Sequence, residues 1–402
     1  MALADLRAWF THAAGQFRAE DPWLAPGVTL FGQWPGVTLH SFERDAAGHL
    51  FAWASRGTSL LRAMVVSGAD IDWQHAGTVP ERCLPTADRV LGAADGATAI
   101  APGLQHLTSH LANAARSGIH QLVTLPSGTR LVGLNGKMLR WTASGDWSVA
   151  LTYNGFRKPA RWGVLADRQG RAWIAQYALN PQRTQTITLY RSTDDGRTFV
   201  PARVFAAGEV RHLHFVQQDP VDGSLWLGSG DRDSESAIWR SIDGDQWQRV
   251  GGGDQAWRAI GLAFLADAVV WGTDAGSDAE HFANVALRWD RANGQLRAEQ
   301  AVAAPVHGVG ALHDGRVVLT TGSEGGANEP DRAVHVWLRA QTGSWTEIAR
   351  FSQGWQPRRV AYAVAHLADG QSNCTDLWLQ LRGTAHMPLG IARLSIDFAG
   401  DT

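Results

Sequence analysis

The chain is built from short runs in which apolar and polar residues alternate, each ended by glycine or aspartate. Leu213-His214-Phe215-Val216 runs on to the turn Asp222-Gly223, and Ser224-Leu225-Trp226-Leu227-Gly228 follows it. Period-two alternation bounded by turn formers predicts antiparallel strands. The runs recur inside a longer unit. Its clearest copy is Arg191-Ser192-Thr193-Asp194-Asp195-Gly196-Arg197-Thr198-Phe199, and a worn copy runs from Arg240 to Trp247. Fainter copies also place an aromatic residue or Leu after a polar turn. The anchors are Trp73, Trp147, Phe199, Trp247, Leu296 and Trp345, and after the first gap they are spaced 52, 48, 49 and 49 residues apart. Such a period in a strand-rich chain predicts a closed array of sheets, because one unit alone cannot bury its own faces.

Seven units begin near Val37, Ile119, Arg161, Val210, Trp257, Val306 and Arg359. The predicted fold is all-β, a seven-bladed β-propeller over residues 36–398, with six or eight blades as alternatives. Residues 1–35 are assigned a short amphipathic helix, Leu3 to Ala19, and a strand-like stretch, Gly27 to Trp34, that closes the ring against the last blade. The gap from Trp73 to Trp147 is 74 residues, about half a unit too long. Its excess falls at about 85–117, where Leu104, Leu107 and Leu111 have helical spacing. A helical insertion is expected there, either capping the toroid or roofing its mouth.

Composition narrows this further. Of 402 residues, 18% are charged and 45% hydrophobic, which suits a large core and argues against disorder. The 19 Trp and 44 Gly suit flat packing between sheets and many tight turns. A formal charge of −2 gives no support to nucleic-acid or membrane-surface binding. Cys83 and Cys374 are too few and too far apart for a disulfide framework or a cysteine zinc site. Met1 to Glu20 carries Asp5, Arg7 and His12 and has no apolar core of a signal peptide, so a cytoplasmic location is the default expectation, with a periplasmic or secreted one as the alternative. No run of 18 apolar residues occurs, so no membrane span is expected.

Ser192 to Phe199 resembles the Asp-box (BNR repeat) of sialidase-like propellers, S-x-D-x-G-x-T-W/F, and Ser241 to Trp247 resembles it with one residue missing. The resemblance implies a turn between the third and fourth strands of a blade, on the face opposite the usual ligand site. Asp caps backbone donors there, Gly takes a φ closed to other residues and the aromatic packs inward. It therefore implies fold and no catalytic role. Phe156-Arg157-Lys158-Pro159 loosely resembles the F-R-I-P motif of sialidases, whose Arg binds a carboxylate. Lys158 departs from that motif, which also lies mid-chain here.

In a propeller, the entry to each innermost strand and the exit of each second strand open on one face near the axis. Entries select Arg157, Arg161, Trp162, Arg211, His212, His214, Trp257, Arg258, His307, Arg358 and Arg359. Exits select Gln176, Tyr177, Asp231, Asp233, Trp271, Asp274, Ser323 and Glu324. Arginines from several blades would suit carboxylate or sulfate groups, which makes Arg157, Arg211 and Arg258 candidate binding residues. Trp162, Trp257 and Trp271 would stack on sugar rings, or pack between blades. Asp231 and Asp274 complete the candidate binding set. His212 and His214 share one strand face and would transfer protons, hold a divalent metal with His307 or Asp231 as third ligand, or serve only as structural hydrogen-bond partners. The metal requirement stays open at this level.

The expected activity is a carbohydrate-active enzyme cleaving an anionic glycan, an acidic oligosaccharide or polysaccharide containing uronate or sialate. A lyase is favoured over a hydrolase because none of the four Tyr has an obvious Glu partner in sequence. In the lyase, His214, Tyr177 and His212 are the candidate catalytic residues. The alternative is a non-catalytic propeller that binds a glycan or protein. A mouth of converging Arg, His and acid favours the enzyme, and a mouth plugged by apolar side chains favours the scaffold.

Overall fold

The computed structural model describes residues 20–85, 118–354 and 362–397. The helix expected over 3–19, nearly all of the expected insertion, and Arg358 and Arg359 lie outside these residues. Among the described residues there is no α-helix, only three single 3-10 turns, and every other element is a strand.

The strands group in chain order into antiparallel sheets. The first holds Thr38–Arg44, Leu50–Arg56, Ser59–Met64 and Gln74–Thr78. The second holds Gln121–Thr124, Arg130–Leu134, Lys137–Trp141 and Trp147–Thr152. The third holds Val164–Ala166, Ala172–Ala175, Ile187–Ser192 and Val200–Phe205. The fourth holds His212–Gln218, Leu225–Gly230, Ala237–Ser241 and Gln248–Gly252. The fifth holds Ala263–Phe264, Ala268–Gly272, Val285–Asp290 and Leu296–Ala301. The remaining strands form one nine-stranded sheet. Its first half is Val306–Ala311, Val317–Ser323, Ala333–Arg339 and Trp345–Ser352, with Trp23–Leu24 on the outer edge. Its second half is Ala363–His366, Leu377–Arg382, Leu389–Ile396 and the N-terminal strand Val28–Pro35. The strand pairing that joins the halves is that of Gly322 and Ser323 with Val364 and Ala363.

All six repeat anchors begin, or immediately precede, the fourth strand of their sheet. The repeat is therefore a packing signal, since the outermost strand needs a large side chain to pin it to the sheet face. Trp247 meets Trp173 of the neighbouring sheet edge-on, with ring centroids 6.4 Å apart. Trp173, Trp226, Trp271 and Trp378 are fully buried, and each lies on a second strand. Aromatic groups of this size bury about 150–250 Å² each, enough to fill the wedge between neighbouring sheets.

The innermost strands surround a common axis. A cavity of about 250 Å³ is lined by His40, Gln121, Val164, Val216, Ala263, Val309 and Asp369, which brings every sheet to one channel. Arg161 holds this inner ring together by donating to the carbonyls of Leu39, His40 and Leu367. Burial pushes its guanidinium down to about 10. The arrangement is that of a β-propeller.

The box Ser192 to Phe199 spans the turn between the third and fourth strands of the third sheet. Asp194 accepts from Ser192 Oγ at 2.8 Å, Thr198 N at 2.9 Å and Thr198 Oγ1 at 2.6 Å. Gly196 has φ of 72° and donates to Ser192 Oγ. In the shorter copy Asp243 takes the amides of Asp245 and Gln246 in the same way. Against a desolvation that works the other way, the hydrogen bonds from Thr198, Ser192 and the Arg197 amide hold the Asp194 carboxyl down at about 2. Asp194→Ala is expected to cost about 1 kcal/mol, the loss of a turn cap. Because the folded pKa is depressed, this contribution is present above pH ~4 and fades as pH falls through about 2. Thermal melts from neutral to acid pH measure it. A variant that melts like the wild type at neutral pH contradicts the structural assignment.

Candidate functional site

Inner-strand entries and second-strand exits meet at one end of the axis because paired strands run antiparallel. The fourth sheet supplies Arg211, His212 and His214 at an entry and Asp231 at an exit. The fifth supplies Arg258 before its short inner strand and Asp274 after its second. The first half of the nine-stranded sheet supplies His307 and Glu324, and the second half supplies Tyr362 and His366. Tyr177 follows the second strand of the third sheet.

His212 and His214 do share one environment, but strict alternation is not how they get there. The register between the first two strands of this sheet shifts between Leu213 and Phe215, so His214 sits in a bulge. Its ring lies over Gly230, where an added Cβ would fall 2.7 Å from His214 Cε1. His307 repeats the device, in a register shift between Val306 and Gly308 and over Gly322. Gly230→Ala is expected to displace the imidazole and cost about 1–3 kcal/mol. Histidine ring resonances and denaturant unfolding test this, and unchanged shifts with unchanged stability contradict it.

The first cluster is His212, His214 and Asp231, all buried. His212 Nδ1 donates to the carbonyl of Ala178 at 2.8 Å, and His214 Nδ1 to that of Ala259 at 2.9 Å. A carbonyl only accepts, so both Nδ1 atoms carry their protons. The two Nε2 atoms lie 3.1 Å apart and 3.0 and 3.1 Å from Asp231 Oδ1. Asp231 Oδ2 takes Arg211 at 2.5 Å. Burial pushes the His212 imidazole down, with Asp231 opposing. Against its own burial, the Asp231 carboxyl is held far down by the two histidines beside it.

The second cluster is Asp274, His307 and Glu324. His307 Nε2 donates to Glu324 Oε1 at 3.0 Å and lies 3.7 Å from Asp274 Oδ1. Burial works against the charged ring, but Glu324 and Asp274 together push His307 up. Burial also pushes the Asp274 carboxyl up, while Glu324 is held down against burial by His307. Arg258 bridges the clusters, 3.6 Å from Asp231, 3.5 Å from Asp274 and 2.9 Å from Asp278. Two phenols flank this ground. Tyr177 stacks on His212 with centroids 4.0 Å apart, and Tyr362 lies 5.6 Å from the His307 ring. Each of these rings keeps one part open to solvent, but loss of water low in the mouth, together with Asp231, Asp274 and Glu324, pushes the Tyr177 phenol up, and the same loss of water beside Glu324 pushes Tyr362 up. Both stay protonated and can donate.

Several candidates take roles other than those expected. Trp162 is buried among the inner strands beside Phe215, and Trp271 is fully buried with its indole donating to Ala256 O. Trp257 is half-buried against Gly251 and Trp271. These rings pack between strands and are not presented for stacking on a sugar. Arg211 and Arg258 converge as expected, but each is already paired with carboxylates. Arg157 is exposed on the connection before the third sheet, and among the described residues no bond or ion pair joins it to either cluster. Gln176 is buried and accepts from Thr188 N, while Asp233 accepts from Gln255. His212 and His214 are 3% and 2% exposed against 38% for Tyr177, so Tyr177 is the surface that a ligand meets first. Tyr362, His366 and Asp278 were not singled out in the sequence. Tyr362 obeys the same entry rule, hidden because the last unit was started at Arg359. His366 and Asp278 carry no signal beyond residue type.

The fold and site define a β-propeller with a polar mouth of histidines, carboxylates and arginines. No family model matches the chain, and no curated protein matches it. Among solved structures, it is similar to virginiamycin B lyase from Staphylococcus aureus in a catalytically inactive variant with quinupristin, at 13% identity over 92% of this chain and 100% of that one, with a TM-score of 0.54. The selenomethionine form of the same lyase gives 14% identity, the same coverage and 0.53. The extracellular domain of a one-component system from B. thetaiotaomicron matches at 13% identity, over 94% of this chain and 40% of that one, at 0.47. The likeness is one of fold. No helix among the described residues is long and apolar enough to cross a membrane.

Proposed function

We propose that this chain is a seven-bladed propeller enzyme of lyase type, its nine-stranded sheet counting as two blades, and that it cleaves an acidic, uronate- or sialate-containing glycan. The box turns support kinship with Asp-box propellers and add nothing to the site. The carrying observation is the trio Asp274–His307–Glu324 at the mouth, with a histidine pushed up, a carboxyl pushed up and two protonated phenols alongside. The polar mouth supports enzyme over scaffold. The lyase among the fold neighbours is a precedent for eliminations on this architecture, not evidence about this substrate.

In the elimination, which is open to a uronate because the carbon bearing its carboxylate carries a hydrogen and that of a sialate does not, this proton leaves carbon. The C–H pair becomes the new C=C bond, the C–O bond breaks with its electrons, and the departing oxygen takes a proton. The trio handles both protons, since it already shares one between His307 and two carboxylates. Tyr177, exposed beside the trio, donates a hydrogen bond to the sugar or its leaving oxygen. His212 and His214 act beneath it, not on substrate directly.

Screening acidic polysaccharides while following unsaturated products and reducing ends tests the reading. Reducing ends that rise together with unsaturation are expected. Reducing ends without unsaturation indicate hydrolysis and overturn the lyase, and binding without turnover favours a glycan-binding scaffold.

A further inference from the structure

Three buried atoms with nothing between them pose a problem. With both Nδ1 protons committed to Ala178 and Ala259, neutral His212 and His214 point bare Nε2 lone pairs at each other and at Asp231 Oδ1. Three acceptors within 3.1 Å of one another repel unless something positive sits among them. Either a proton fills the space or a metal ion does.

We infer that His212 Nε2, His214 Nε2 and Asp231 Oδ1 form a binding site for one divalent first-row transition ion. The atoms make a nearly equilateral triangle with sides of 3.1, 3.0 and 3.1 Å. An ion about 2.1 Å from each would see them at roughly 94° to one another. That is one face of an octahedron, with three positions left for water or ligand oxygens. A tetrahedral ion needs wider angles, so the triangle favours Mn2+, Fe2+ or Co2+ over Zn2+. The two imidazoles favour any of these over Mg2+ and Ca2+, which prefer all-oxygen sites.

The surroundings fit. Each ligating imidazole donates its other N–H to a backbone carbonyl, which fixes ring and tautomer as metal-bound histidines require. Arg211 holds Asp231 Oδ2 and leaves Oδ1 turned to the triangle. Arg258 lies 3.6 Å from the same oxygen but is anchored by Asp274 and Asp278, so its charge does not depend on Asp231. The bulge at His214 and the bare Cα of Gly230 are what bring the second imidazole inward. The site stands or falls without reference to any substrate.

Chelator-treated full-length protein is titrated with Co2+ and Mn2+, by calorimetry and, for Co2+, visible absorption, with Mg2+ and Ca2+ as controls. The expected result is one equivalent bound, with the weak visible bands of six-coordinate Co2+. His212→Ala and His214→Ala should each lower affinity by ~100-fold or more, at or above what outer-shell losses cost. Glu324→Gln, in the other cluster, should leave Co2+ affinity unchanged. If a histidine variant fails to fold, Glu324→Gln still decides, since full Co2+ affinity in it excludes the second cluster and lost affinity overturns the site. No binding by the folded wild type overturns the site and assigns the space to a shared proton. Binding abolished by Glu324→Gln and kept by His214→Ala overturns it in favour of the second cluster. Intense four-coordinate bands overturn the octahedral assignment.

Discussion

Arg393→Ala is expected to destabilise the protein by about 3–5 kcal/mol, the cost of removing one partner from a buried ion pair. Arg393 is fully buried on Leu389–Ile396, and it does several things at once. It pairs with Asp376 at 2.5 Å. It also donates to the carbonyls of Ala69 and Val66, in the turn after the third strand of the first sheet. Its guanidinium lies 4.5 Å from the Phe31 ring and 4.7 Å from that of Trp378. One side chain thus joins the C-terminal strand, the N-terminal strand paired to it and the first sheet. Truncation leaves the Asp376 carboxyl buried without its partner, and two carbonyls without their donor. Arg393→Lys should recover only part of the loss, because a single ammonium cannot span three acceptors and stack on two rings. Replacing Asp376 with an apolar residue as well should not restore stability, since the carbonyls stay unpaired. Urea unfolding measures the effect. A loss under ~1 kcal/mol would show that closure rests on the strand pairing alone.

The ring was legible in the sequence because it depends on repetition. Phe199 and Trp247 mark the same structural position, and a 49-residue period survives even where identity is gone. The box was legible for a local reason, since Ser192, Asp194, Gly196 and Thr198 satisfy one another within a few residues. The site was legible only as a set of positions. Entry and exit geometry picked out His214, Asp231, Arg258, Asp274, His307 and Glu324, which the structure brings together. It could not show that Arg258 is consumed by three carboxylates, because Asp231 comes from one loop and Asp274 and Asp278 from another. It could not separate Trp162 from a sugar platform, because residue type does not say which way a ring faces. The bulges were also invisible. They arise from pairing with the second strand, and their only trace is a glycine opposite each histidine, Gly230 and Gly322.

His307→Gln is expected to lower turnover by ~100-fold or more, the scale of losing a general acid–base group. Glutamine keeps a hydrogen bond near Glu324 and Asp274 but carries no transferable proton, so binding should change far less than kcat. The pH profile separates this from mere disturbance. His307 is raised above its ordinary value, chiefly by Glu324 and Asp274 against the opposing effect of burial. Activity that needs the protonated ring should therefore persist below pH ~6.5 and fall as pH rises through the higher folded value. Glu324→Gln removes the strongest raising partner, so the alkaline limb of kcat should move to lower pH. A role limited to holding the loop in place predicts the opposite pattern, a lower kcat with the limb unmoved. Unsaturated-product assays across pH, on whichever acidic glycan the screen returns, read both quantities. An unshifted limb in Glu324→Gln, or kcat in His307→Gln within about threefold of the wild type, an effect below ~1 kcal/mol, removes the trio from the chemistry. The remaining candidate proton donors are then Tyr177 and Tyr362, the phenols that flank it.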